Sequence, residues 1–323
     1  MRKRCSRGLL PLLLSSALSL ALLTTAAAQS GGQPPVDPAQ QVLFQKMVAA
    51  IESLAARSDG VLSVSVMDLR EGTRYSLRGD QVFAVASTIK LAILFELFRQ
   101  ADQGLLSLTD TQAVPARELI DGSPILGGLL SFTPQPAMPL RKYSLRELAV
   151  FMIVTSDNTA TNALIDRLGF AAVNDLCARL GLQKTRLRRK MLDAAAVLRG
   201  QENTATANEL AALLQQVHRV PWRYESSRTE LLRILSLPKE SYFSRGLPAD
   251  MPLASKLGSL GGVRAEVALI PLPERPFVLS AIVAYAGDGL AAERTLADVA
   301  AAASGYFAAV ATHTAYGRSR PSP

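Results

Sequence analysis

The chain has 323 residues, 49% of them hydrophobic, with 21 Gly and 18 Pro and no low-complexity tract, a balance that supports a sizeable apolar core and excludes disordered and collagen-like chains. Its formal charge of +8 falls to +4 once Arg2, Lys3, Arg4 and Arg7 of the N-terminal segment are set aside. No basic block beyond Arg186, Arg188, Arg189 and Lys190 remains, so nothing demands a nucleic-acid partner, and that short run reads as a solvated turn.

Residues 1–28 read as a secretory signal: a basic start, an apolar stretch over 9–23, and Ala26-Ala27-Ala28 before Gln29. The stretch falls short of the ~20 residues of a spanning helix, so no membrane association is expected after cleavage, and the destination is extracytoplasmic, secreted or periplasmic. Cleavage leaves one domain, 29–323, in which Cys177 is the only cysteine. No internal disulfide is available, and Cys177 fits a buried apolar position in the helical pattern 173–180.

After a Gly/Pro/Gln-rich leader, Leu43, Phe44, Met47, Val48, Ile51 and Leu54 repeat at helical spacing. Leu62, Val64 and Val66 alternate with serines, and a turn at 70–73 leads to 75–77, which predicts a β-hairpin. A long apolar helix is expected over 87–104. In the middle third, Ser144-x-x-Glu147, Thr206-x-x-Glu209 and Ser227-x-x-Glu230 each carry the capping-box pattern of a helix start. Residues 183–203 have no sustained period and suggest an ordered functional loop. Strands return at 267–270 and 276–285, followed by an Ala-rich helix over 291–309 and a frayed tail at 318–323. Strands near both ends with helices between them predict an α+β fold: an antiparallel sheet assembled from both chain ends and flanked by helices, with an all-helical lobe at about 87–236 inserted in it.

Only two histidines occur, His218 and His313, with no His-Glu-x-x-His or Cys-x-x-Cys. No metal and no cofactor is expected, and a serine nucleophile here would use a base other than histidine. Three short elements offer one: Ser87-Thr88-Ile89-Lys90, Ser156-Asp157-Asn158 and Lys256-Leu257-Gly258. Each alone is weak. Ser-x-x-Lys recurs at Ser236 and Lys239, where Pro238 disfavours a helical register. Ser87 opens an apolar helix, and three-residue spacing sets Lys90 one turn along the same face, where burial would keep its amine basic and neutral.

Taken in order, and with Asn158-Thr159-Ala160-Thr161-Asn162, Leu168-Gly169 and Gly262-Val263-Arg264 around them, these elements resemble the class A β-lactamase family of penicillin-recognising serine hydrolases, over about residues 40–312. The resemblance implies Ser87 as acylated nucleophile, Lys90 as base or proton relay, Ser156 as the hydroxyl that protonates the leaving nitrogen, and Lys256 as its supporting charge. It implies substrate contacts from Asn158, Gly258, Ser259 and Arg264: Asn158 to a side-chain amide, the backbone N–H groups of Ser87 and Ser259 to the oxyanion, and Arg264 to a carboxylate. Asp157 would be structural. Two positions depart from the pattern. Leu257 replaces a hydroxyl residue, for which Ser259 is a substitute, and Met191 stands where a glutamate would activate the deacylating water, leaving Asp193 and Glu202 as candidate bases with loop bracing as their alternative role.

The implied activity is hydrolysis of a β-lactam through a Ser87 acyl-enzyme, with slow deacylation. A cell-wall D-alanyl peptidase or esterase, and a non-catalytic protein that binds penicillin or a cell-wall fragment, are the alternatives. The partner is in each case a small molecule, β-lactam or cell-wall peptide, and the chain is expected to be a monomer.

Overall fold

Among the described residues six strands form one sheet, in the order β1 (Ser30–Gln33), β3 (Arg74–Leu77), β2 (Val61–Asp68), β10 (Phe277–Ala284), β9 (Val263–Ile270), β8 (Ala254–Leu260), with every neighbouring pair antiparallel. The structure, a computed structural model, describes residues 30–33, 37–114, 120, 122–126, 141–314 and 316–320. The predicted signal lies outside them.

The sheet is drawn from both ends of the chain. β1, β2 and β3 come from one end, and β8, β9 and β10 from the other. β2 pairs β10 from Asp68↔Phe277 to Val61↔Ala284. α1 (Pro38–Arg57) starts where the Asp37 carboxylate accepts the N–H groups of Ala39 and Gln40, and it buries Phe44, Met47 and Ile51 on one stripe. With α9 (Gly289–Thr312) it covers the sheet face that carries Leu62, Val64, Leu279, Ala281 and Val283. α9 is long and apolar enough to cross a membrane, but its Leu296, Val299, Ala303 and Phe307 are spent on this core.

The other face, with Val267, Val278 and Ile282, packs on helices. α7 (Ala207–Arg219) and α8 (Glu225–Ser236) lie against the sheet, and behind them the helical side continues with α2 (Lys90–Asp102), α3 (Leu145–Val154), α4 (Asn158–Leu168), α5 (Phe170–Arg179) and α6 (Ala194–Leu198). Two short ladders complete the fold: β4 (Phe83–Ala84) with β7 (Thr204–Ala205), and β5 (Thr111–Val114) with β6 (Arg141–Ser144). Because both faces of β10 are covered, it reads as an apolar run interrupted only by the buried Ser280, not as an alternation.

Several expectations are corrected. The helix predicted from residue 87 begins as a 3-10 turn, Ala86–Ile89, before α2 takes over at Lys90. The Lys256 element is itself strand β8, which lacks the alternating apolar pattern that identifies a strand from sequence. Ser144 and Glu147 form the full capping box, whereas Thr206 caps Glu209 N–H but the Glu209 carboxylate turns to Lys184 N–H and the Thr185 hydroxyl. Ser227 caps nothing: α8 starts at Glu225, because the Asp102 carboxylate from α2 accepts the N–H groups of Arg223 and Tyr224 and fixes the start there. Arg189, expected in a solvated turn, is buried and ion-paired with Glu202 at 2.8 Å. Residues 318–320 are not frayed, since Arg318 O accepts Thr314 N–H and Arg320 N–H bonds Thr312 O.

Candidate active site

Three elements bring the site together. Ser87 lies in the 3-10 turn, where three residues per turn eclipse positions i and i+3, and the Lys90 N–H closes that turn on the Ser87 carbonyl. Lys90 therefore opens α2 directly beyond Ser87 on the same side. Ala86, just before, has φ +47°, a left-handed residue that swings the chain from β4 into the turn.

The second element is the link between α3 and α4. Ser156 has φ +56°, and this bend directs both its carbonyl and its hydroxyl at Lys90 Nζ, 2.7 and 3.1 Å away. The bend is held by Asp157, which is fully buried. One of its oxygens caps α4 through Ala160 N–H at 2.8 Å, and the other accepts Ile125 and Leu126 N–H at 3.2 and 3.1 Å. Asp157 is thus structural, as its position in the motif implied. The Asn158 side-chain oxygen accepts the third hydrogen bond of Lys90, at 2.9 Å. Lys90 meets Ser156 and Asn158; among the described residues its hydrogen bonds do not include one to the Ser87 hydroxyl.

The third element is β8, an edge strand. Lys256 and Gly258 point to the helical side, and Lys256 Nζ donates to the Ser156 hydroxyl at 3.2 Å and to the Leu257 carbonyl at 2.9 Å. A Cβ on Gly258 would lie 2.8 Å from Val85 O and 2.9 Å from Ser87 N. Only glycine lets the strand edge come that close to the Ser87 backbone. This closeness sets the edge at Gly258 and Ser259 beside the Ser87 N–H, where an oxyanion would be held.

The Ser156 hydroxyl thus lies between two buried lysines. Burial, reinforced by the charge of Lys256 and opposed by Asp157, holds Lys90 well below its ordinary value. Burial likewise brings Lys256 down to about 7, against the opposing pull of Glu266. One hydroxyl proton cannot be donated to both amines. The fully satisfied arrangement has a charged Lys256 donating to Ser156, and Ser156 donating to the lone pair of a neutral Lys90. That arrangement lets Lys90 take a proton and Ser156 deliver one.

The remaining candidates fall elsewhere. Leu257 and Ser259 alternate onto the opposite face of β8, where Leu257 packs beside the α9 core. Arg264 is committed: its Nε pairs with Glu293 of α9 at 3.1 Å, and its Nη1 donates to the carbonyls of Leu260 and Val263. Met191 is buried, its backbone clamped by Asn162 of α4, which accepts Met191 N–H at 2.8 Å and donates to Met191 O at 3.3 Å. Asp193 caps α6 through Ala196 N–H, and Glu202 is bound to Arg189, so both loop carboxylates are engaged in bracing. His218 bonds Arg228, and His313 bonds Thr312 and Ala309 O. Cys177 is buried and its thiol pushed up to about 12 by burial, in keeping with an apolar role. Among the described residues no group of three or more His, Cys, Asp or Glu is placed to hold a metal.

Sequence reasoning missed three polar residues that shape the site: Asn162; Asn203, which accepts the N–H groups of Arg188 and Arg189; and Glu266. For Glu266 the signal was present, since one acid interrupts an otherwise apolar stretch of β9.

A model of the beta-lactamase enzyme family matches residues 46–307. The AER-1 beta-lactamase of Aeromonas hydrophila is 27% identical over 240 residues, covering 72% of this chain and 76% of that protein. Among solved structures, PBP-A superposes with a TM-score of 0.72 at 25% identity, over 86% of this chain and 98% of that one. A point mutant of PBP-A was solved as an acyl-enzyme complex with penicillin G. The beta-lactamase of Sphaerobacter thermophilus gives 0.71 at 30% identity, over 80% and 96%.

Proposed function

The chain belongs to the beta-lactamase enzyme family, and from that premise we propose that it is an exported serine hydrolase that is acylated at Ser87 by a β-lactam and releases the product slowly. The observation that carries the reading is the convergence of Lys90, one turn beyond Ser87, and of Lys256 on the Ser156 hydroxyl.

In acylation the Ser87 proton passes to neutral Lys90 as Oγ bonds the carbonyl carbon, and the oxyanion is met by the N–H groups of Ser87 and Ser259. The C–N bond then breaks, Ser156 gives its proton to the departing nitrogen, and the amines restore it. Hydrolysis of the ester needs an activated water. The Met191 thioether accepts no proton, and Asp193 and Glu202 already hold backbone or guanidinium partners. The acyl-enzyme therefore accumulates.

Intact-mass measurement with penicillin G tests this: a mass increase is expected that vanishes in Ser87→Ala, with Met191→Glu shortening the lifetime of the adduct at least about tenfold. Absence of an adduct, or one that survives in Ser87→Ala, refutes the reading. Met191, which leaves the acyl-enzyme without an obvious base, favours a second reading, a cell-wall D-alanyl peptidase or esterase in which β-lactams act as inhibitors. Faster turnover of D-alanyl peptides or small thioesters than of a cephalosporin would select it.

A further inference from the structure

Lys90 and Lys256 are both buried, and among the described residues neither has a carboxylate within ion-pairing distance. Two buried ammonium groups on one hydroxyl repel each other, so something must decide which keeps its proton. Behind Lys256 lies a carboxylate that the chemistry of Ser87 does not itself use. Glu266, in β9, is fully buried and pairs in register with Leu257, the residue next to Lys256. Its side chain lies on the far face of the sheet, where Oε1 accepts the Ser241 hydroxyl at 2.7 Å and Oε2 accepts Tyr242 and Phe243 N–H at 2.8 and 3.0 Å. Burial pushes the Glu266 carboxyl up from its ordinary value, and these donors oppose that rise by stabilising the anion without neutralising it.

We propose that Glu266 is the remote counter-charge of the site: it holds the proton on Lys256 and so leaves Lys90 as the amine that takes the proton of Ser87. Glu266 is a positioning residue, acting through Lys256 across one strand and touching no substrate.

The charges around Lys256 are few and can be named. Lys90 meets it from α2 across the shared Ser156 hydroxyl, and Asp157 of the α3–α4 link lies beside Lys90. Lys239 and Glu240 follow α8, with Lys239 Nζ held by the carbonyls of Leu235 and Leu237. Glu266 comes from β9, and beyond it on the far face Tyr242, Arg245, Arg264 and Glu293 form an ion-paired cluster of their own. Glu266 favours the charged form of Lys256 and Lys239 opposes it. Substitutions at these two positions must therefore displace the pH dependence in opposite directions.

The inference rests on acylation at Ser87. The experiment is the pH dependence of the rate of acylation by penicillin G, for the full chain and for E266Q, K239Q and S241A. The alkaline limb, where Lys256 loses its proton, is expected to move down by on the order of one pH unit in E266Q, and up by a smaller amount in K239Q. S241A removes a hydrogen bond of Glu266 but keeps its charge, so its limb stays in place even if the protein is less stable. An E266Q that acylates more slowly with both limbs unmoved overturns the inference, since that is the mark of a packing defect. If E266Q does not fold, K239Q decides: a raised limb supports the assignment and an unmoved one overturns it. Absence of any adduct in the unaltered chain refutes the proposed function instead.

Discussion

Gly258 shows how much chemistry rests on a missing side chain. A methyl group there would meet Val85 O and Ser87 N, both backbone atoms that yield only if the 3-10 turn or strand β8 shifts. Gly258→Ala should therefore lower stability, because backbone must move, and slow acylation at Ser87 about a hundredfold, the scale of a lost oxyanion donor. Equal rates in the two proteins would mean that the strand edge is not held against the nucleophile. Ser156 is the complementary case: its left-handed backbone costs about 1–3 kcal/mol and is kept because Asp157 fixes the bend from both sides. Residue identity made Ser87, Lys90, Ser156 and Lys256 legible in the sequence as candidates, and the structure brings Lys90 and Lys256 onto Ser156. Identity gave no access to Arg264, whose guanidinium suits a carboxylate but is taken by Glu293 of α9, a residue 29 positions away.

Among the elements, those whose periodicity is decided locally were legible. α1 and the β2–β3 hairpin follow their apolar patterns, and the Ser144 box marks the start of α3. Elements fixed by distant partners were not. β8 is a strand because β9 pairs with it, and α8 starts early because Asp102 reaches it from α2. Asp102→Ala should accordingly remove about 1–3 kcal/mol, read as a lower urea midpoint with an unchanged slope. An unaffected midpoint would show that α8 sets its own boundary. The loop at 183–203 was recognisable as ordered, but its clamps, Asn162, Asn174 and Asn203, bond backbone atoms that carry no sequence signal.

At the scale of the molecule, the buried lysines tie stability to pH. Lys256 titrates near 7 in the folded chain and near 10.5 when unfolded, so between those values the unfolded state binds more protons and stability rises with pH. Lys90 adds to the same trend. Denaturation between pH 7 and 9 should show Lys256→Met with a shallower increase than the unaltered protein, by up to about 1.4 kcal/mol per pH unit; parallel curves would contradict the burial of the charge. The β2–β10 pairing has a further consequence, for when reactivity appears. Phe277 must find Asp68 across some two hundred intervening positions, a loop whose closure comes late because its entropy is lost before any contact compensates for it. The strand bearing Lys256 lies in the same late-arriving segment, so the contact of Lys256 with the Ser156 hydroxyl has to wait for it, however early the Ser87 turn and α2 are made.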